Sequence, residues 1–126
     1  MKLQDAHASE TGAIGSWANI GYIAPGSKTD VNNYSTTVFD YKNNFAGGNN
    51  GTTMVGSITG TPEGWRATAK TALNDCKISS YWTITMAQAG NGASVAYTAA
   101  ITDLGSNNDN TNCKSLTPNF MNIAHN

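Results

Sequence analysis

The chain has 126 residues, enough for one domain whose folding hides about two-thirds of the surface the unfolded chain exposes. Charged residues are 12% of it, about half the usual share, and the net charge is −1, which excludes the basic footprint that nucleic acid or an anionic lipid surface requires. Asn, Thr, Ser and Gly give a neutral polar surface, and no run is apolar and long enough to span a bilayer.

Residues 2–18 read as a short helix with Leu3, Ala6 and Ile14 along one face, weakened toward its end by Gly12 and Gly15 at about 1 kcal/mol each relative to Ala. Such a helix is not stable alone and must lean on something. Asp5, His7 and Glu10 stand where an export signal would need an apolar run, so the expected form is one whose signal has been removed. Trp17, Ile20, Tyr22 and Ile23 follow between glycines and end at Pro25-Gly26, where the helix hands over to a sheet. Core packing is the preferred reading of Trp17 and Tyr22.

From Ser27 to Gly51 the chain is loop-like apart from a strand at 35–41, with Phe39 and Tyr41 on the face opposite Val38 and Asp40. The 43–51 stretch marks a surface turn. Asn33-Tyr34-Ser35 and Asn50-Gly51-Thr52 match the glycosylation acceptor pattern, as chance allows in an Asn-rich chain. A strand is expected at 52–59 and a turn at 60–64. Residues 65–71 alternate as a half-buried strand, with Trp65, Ala67 and Ala69 on one side and Arg66, Thr68 and Lys70 on the other. A helix capped by Thr61, with Pro62 in its first turn, is the competitor.

Two strands, 81–87 and 94–102, flank Gly90-Asn91-Gly92, the strongest hairpin signal in the chain. Trp82, Ile84 and Met86 share one face of the first, and Val95, Tyr97, Ala99 and Ile101 one face of the second. A polar loop at 105–112 leads to Cys113 and a tail whose Leu116, Phe120 and Ile123 would lie on the sheet. Cys76 and Cys113 are the only cysteines, and a disulfide between them would close a long loop worth roughly 3–4 kcal/mol. The alternative is a fragment of a metal site, although neither cysteine sits in a CxxC and His7 and His125 lie near the chain ends.

The expected fold is therefore α+β, mainly β, with one domain over 1–126. A short N-terminal helix packs on an antiparallel β-sheet of about four strands, and the C-terminal region is closed by one disulfide. No GxSxG, HExxH, phosphate-binding or dinucleotide motif is present, and Glu63, Asp75 and Asp103 are ordinary loop or strand-end carboxylates, so no enzyme, cofactor or metal is expected.

The handover at Gly21 to Gly26, the stretch GWRATAKTALNDC at Gly64 to Cys76, and NCKSLTPNF at Asn112 to Phe120 together resemble the globular head of a type IV pilin or pseudopilin. The likeness is greatest to the separately encoded C-terminal half of a split pilin. The chain departs from a full-length pilin in lacking the long hydrophobic N-terminal helix, which the resemblance assigns to another polypeptide or to a removed segment. It implies a structural filament subunit in the periplasm or at the cell surface, partnered by a short hydrophobic pilin helix and neighbouring heads, touching the membrane only through that helix. Cys76 and Cys113 would staple the head, and Leu3, Trp17, Ile20, Tyr22 and Ile23 would dock the helix by their position. The alternative is a secreted carbohydrate-binding or adhesin module in which Trp65, Tyr34 or Tyr41 stacks on a sugar.

Overall fold

The computed structural model describes residues 2–30, 33–44, 52–58, 62–73, 76–89, 94–104, 111–114, 116–117 and 119–120. The turn residues Gly90, Asn91 and Gly92, the tip at 45–51, the start of the turn at 60–64, the 105–110 loop, Asp75, Ile123 and His125 lie outside the described residues.

The N-terminal helix is shorter than its sequence suggests. Helix α1 covers Lys2–Thr11 and stops where Gly12 adopts a φ of 72°, a left-handed conformation that favours glycine. Its buried positions are Gln4 and Ala8, one turn apart, whereas Ala6 is exposed and Leu3 is 43% exposed. Ile14, expected on the helix, instead lies in strand β1 (Ala13–Gly15), fully buried. Strand β1 pairs with β5 (Thr52–Met54) in a separate two-stranded sheet, so the strand expected over 52–59 ends early and passes into a 3-10 turn at Val55–Ser57. The change is required by burial: Ile14 and Val55 both enter the core, and Ala13 and Gly15 are buried beside Ile14, whereas Met54 and Gly56 on either side of Val55 are exposed.

Helix α2 (Trp17–Ile20) is one turn, closed by Gly21 at φ 76°. The main sheet then follows, with strands β2 (Ser27–Asp30), β3 (Asn33–Ser35), β4 (Phe39–Asn44), β6 (Glu63–Ala69), β7 (Tyr81–Ala89) and β8 (Ser94–Thr102). Their order is β2-β3-β4-β6-β7-β8, every neighbour antiparallel. Among the described residues the sheet has six strands, against about four expected, because two short strands form within a stretch that reads as loop. Gly26 makes that edge possible: its φ is 91°, and a Cβ there would strike the Ser35 carbonyl. Residues 63–69 are a strand and not the competing helix, with Ala67 and Ala69 buried.

Alternation sorts the sheet into two faces. The outer face is polar: the Arg66 guanidinium lies 3.8 Å above the Tyr81 ring, and Lys70 approaches Asp40 at 3.9 Å. The inner face carries three clusters. Met86, Val95 and Tyr97 pack with Ala8, Ile14 and Val55 under α1. Trp17, Ala24 and Tyr34 form a second cluster, and Ala69, Trp82 and Ile101 surround the cysteines in a third. Full burial of each large apolar side chain contributes about 1.5–3 kcal/mol.

Cys76 and Cys113 are disulfide-bonded, their Cα atoms 4.7 Å apart and both fully buried, which rules out the metal-fragment alternative. A one-turn helix α3 (Thr111–Lys114) carries Cys113, and Asp103 accepts the Cys113 N–H at 3.2 Å. Beyond it the tail turns back over the sheet. The Trp82 indole N–H donates to the Thr117 hydroxyl at 2.8 Å, and Phe120 reaches the Trp65 ring at 5.8 Å. Leu116, expected on the sheet, is 38% exposed instead.

Candidate functional site

The inner face is not wholly covered. Between α1, α2 and the tail lies an open cavity of about 510 Å³. Trp65, Ile84, Met86 and Tyr97 form its floor, all projected to one side by the alternation of β6, β7 and β8. Leu3 and Gln4 form one wall, Trp17, Ile20 and Tyr22 another, and Phe120 closes the tail side. Its volume falls in the range of ligand sites, roughly 300–1,000 Å³.

Local chemistry holds these walls in place. The Gln4 side chain bonds Gly15 twice, its amide donating to the Gly15 carbonyl at 2.9 Å and its oxygen accepting the Gly15 N–H at 2.7 Å. Helix α1 is thereby pinned to β1 by a side chain that imitates a backbone neighbour. The Trp17 indole N–H donates to the Gly64 carbonyl at 2.7 Å, anchoring the second wall to the floor. Gly64 also seats the floor, because a Cβ there would come within 3.0 Å of the Met86 thioether. The Trp65 indole N–H donates to the Tyr22 hydroxyl at 3.2 Å.

These bonds engage the polar atoms of the indoles and of Gln4 within the protein, and no ionisable carboxylate or amine lines the cavity among the described residues. The Tyr97 hydroxyl donates to Asp5 at 2.9 Å, and its pKa is pushed well above the ordinary tyrosine value, first by burial and then by the bond to Asp5 and that residue's charge. Tyr97 therefore stays neutral at any physiological pH. The described residues that line the cavity offer mainly apolar surface and shape.

Leu3, Trp17, Ile20 and Tyr22, the residues expected to dock a helix, all line this cavity. Ile23 does not: it is 77% exposed and stands outside. Ile84, Met86, Tyr97 and Phe120 were not legible as site residues, since their partners lie far away in the chain. The aromatics considered for sugar stacking are engaged elsewhere. Tyr34 is buried 6.0 Å from Trp17, Tyr41 packs between Phe39 and Trp65, and Trp65 belongs to the cavity floor. Glu63 lies beside Arg66 at 3.6 Å and Asp103 caps the Cys113 amide, so these two carboxylates serve separate structural neighbours.

Comparison with protein-family models, with curated proteins and with solved structures finds no match. The buried disulfide itself points to an oxidising compartment, periplasmic or extracellular. Among the described residues no helix is long and apolar enough to cross a membrane.

Proposed function

We infer that the chain is the globular head of a filament subunit of the type IV pilin kind, and that its inner cavity receives an apolar helix from another polypeptide. The observation that carries this reading is the open cavity of about 510 Å³, without an ionised side chain among its lining residues. An exposed concavity of this composition favours an apolar occupant, because its lining is mainly apolar and the indole N–H groups of Trp17 and Trp65 are already bonded within the protein. The resemblance of Gly21–Gly26 and Gly64–Cys76 to pilin heads names the occupant as the missing hydrophobic helix. The head would then contribute the polar exterior of the subunit while the helix drives assembly.

The test is titration of the protein with an apolar helical peptide bearing a charged solubilising tail, followed by tryptophan emission. Binding is expected to shift emission to the blue as Trp65, which is partly exposed, loses water. Leu3→Asp, at the exposed rim, is expected to weaken binding at least about tenfold, the effect of some 1.4 kcal/mol. Ile23→Asp should leave it unchanged. An unchanged emission spectrum, or equal losses in both variants, would defeat the reading.

A further inference from the structure

The outer face of the main sheet carries a polar groove of about 460 Å³, whose lining includes Thr29, Asp40, Lys42, Arg66 and Thr68. The register of the sheet brings these residues together. Lys42 in β4 stands directly opposite Arg66 in β6, and Asp40 stands opposite Thr68. Two cations set against each other across a strand pair destabilise a sheet. The chain has only seven basic residues to place, so crowding does not force two of them into this position.

Neighbouring carboxylates relieve the repulsion only in part. Asp40 accepts the Ser35 hydroxyl at 2.8 Å and lies 3.9 Å from Lys70, while Glu63 lies 3.6 Å from the Arg66 Nε. Lys42 is exposed and takes part in neither ion pair. Lys42, Arg66 and Lys70 thus face Asp40 and Glu63, with one positive charge in excess. The Arg66 guanidinium lies 3.8 Å above the Tyr81 ring, which fixes its plane, and its buried Nε has no hydrogen-bond partner. A planar fork held in this way, with a donor unused, matches a carboxylate.

We propose that this groove binds an acidic sugar, with Lys42 and Arg66 on its carboxylate and Thr29, Thr68 and Asp40 on its ring hydroxyls. A carboxylate between Lys42 and Arg66 removes the repulsion that the empty protein carries. One excess positive charge suits a singly charged ligand, and Asp40 in the same groove opposes a doubly charged phosphate. The two threonine hydroxyls can donate or accept, and Asp40 accepts, so together they can meet sugar hydroxyls of either orientation. An acidic peptide brings few hydroxyls to such a lining, which favours the sugar. The groove lies on the face of the sheet opposite the apolar cavity, so this site stands independently of helix docking.

Nuclear magnetic resonance titration with trigalacturonate tests the site. The amide signals of Lys42, Arg66 and Thr68 are expected to move together, and the methyl ester of the same trimer, which keeps the rings and loses the charge, should bind at least about tenfold more weakly. A triglutamate peptide, which carries charge without ring hydroxyls, should also bind more weakly. Lys42→Glu is expected to lose binding by at least about tenfold and to raise the urea midpoint of the free protein, because it sets opposite charges across the strand pair. Lys114→Glu, the same change of charge on the exposed side of α3, should leave both unchanged. The proposal is overturned by amide signals that stay still, by an ester or a peptide that binds as tightly as the acid, by equal losses in the two variants, or by a Lys42→Glu midpoint that does not rise.

Discussion

The Tyr97 hydroxyl donates to the Asp5 carboxylate at 2.9 Å, tying the first helix to the last strand across most of the chain. Burial and this carboxylate both raise the Tyr97 pKa in the folded protein, and Tyr41 is raised as well, by burial and then by Tyr22. Unfolded tyrosines ionise near pH 10. Above that value the unfolded chain releases protons that the folded chain retains, so stability is complete below about pH 10 and falls as pH rises past it. Urea unfolding followed by circular dichroism from pH 8 to 11 is expected to show a flat midpoint and then a decline. Tyr97→Phe should make the decline shallower, at a cost near neutrality of about 1 kcal/mol for the lost bond. An unchanged alkaline slope in that variant would show that Tyr97 ionises as readily folded as unfolded.

The double bond between Gln4 and Gly15 makes a second prediction. Gln4 is 4% exposed, and its amide satisfies both the N–H and the C=O of a buried glycine. In Gln4→Leu those two backbone groups lose their partner, at about 1–3 kcal/mol for each group left unsatisfied. Chemical denaturation should report a loss of that order, with hydrogen exchange accelerated in α1 and β1 before the rest of the sheet. A variant as stable as the parent would mean that water or backbone adjustment satisfies Gly15.

Removal of the disulfide should act on the tail first. Cys113 begins the run of turns that brings Thr117 to the Trp82 indole and Phe120 to Trp65. The double variant Cys76→Ser, Cys113→Ser is expected to lose about 2–4 kcal/mol, largely through the freedom restored to the unfolded chain. Trp82 and Trp65 emission should shift to the red under native conditions as Phe120 leaves. If emission is unchanged while the midpoint falls, the tail is held by its own contacts and the bridge acts on the unfolded state alone.

The hairpin of β7 and β8 was legible because both strands are long, β-branched and cleanly alternating, and the disulfide because only one pairing exists. Strand 63–69 was legible from Trp65, Ala67 and Ala69, although helix signals competed. The β1–β5 pair was not, since three residues are too few to carry a period and Ile14 fits a helical stripe equally well. Strands β2 and β3 escaped for a similar reason, being short and polar at the sheet's edge. Of the residues that line the cavity, Trp17, Ile20 and Tyr22 lie close together in sequence. Met86, Tyr97 and Phe120 join them only through the register of the sheet and the path of the tail. Gln4 carries no signal at all: a glutamine in a helix normally faces water, and its double bond exists because β1 runs directly alongside.

The contact between α1 and β8 also bears on how the protein comes into being. During synthesis the helix emerges well before β8: Tyr97, which holds Asp5, is made 92 residues after it, and Val95, which belongs to the same cluster as Ala8, is made similarly late relative to Ala8. For most of translation the newborn chain therefore carries Ile14 and Trp17 without the surfaces that will shelter them, and contacts so distant in sequence form slowly. This delay suits a polypeptide that must stay unfolded while it is threaded across a membrane, with folding and oxidation postponed to the far side.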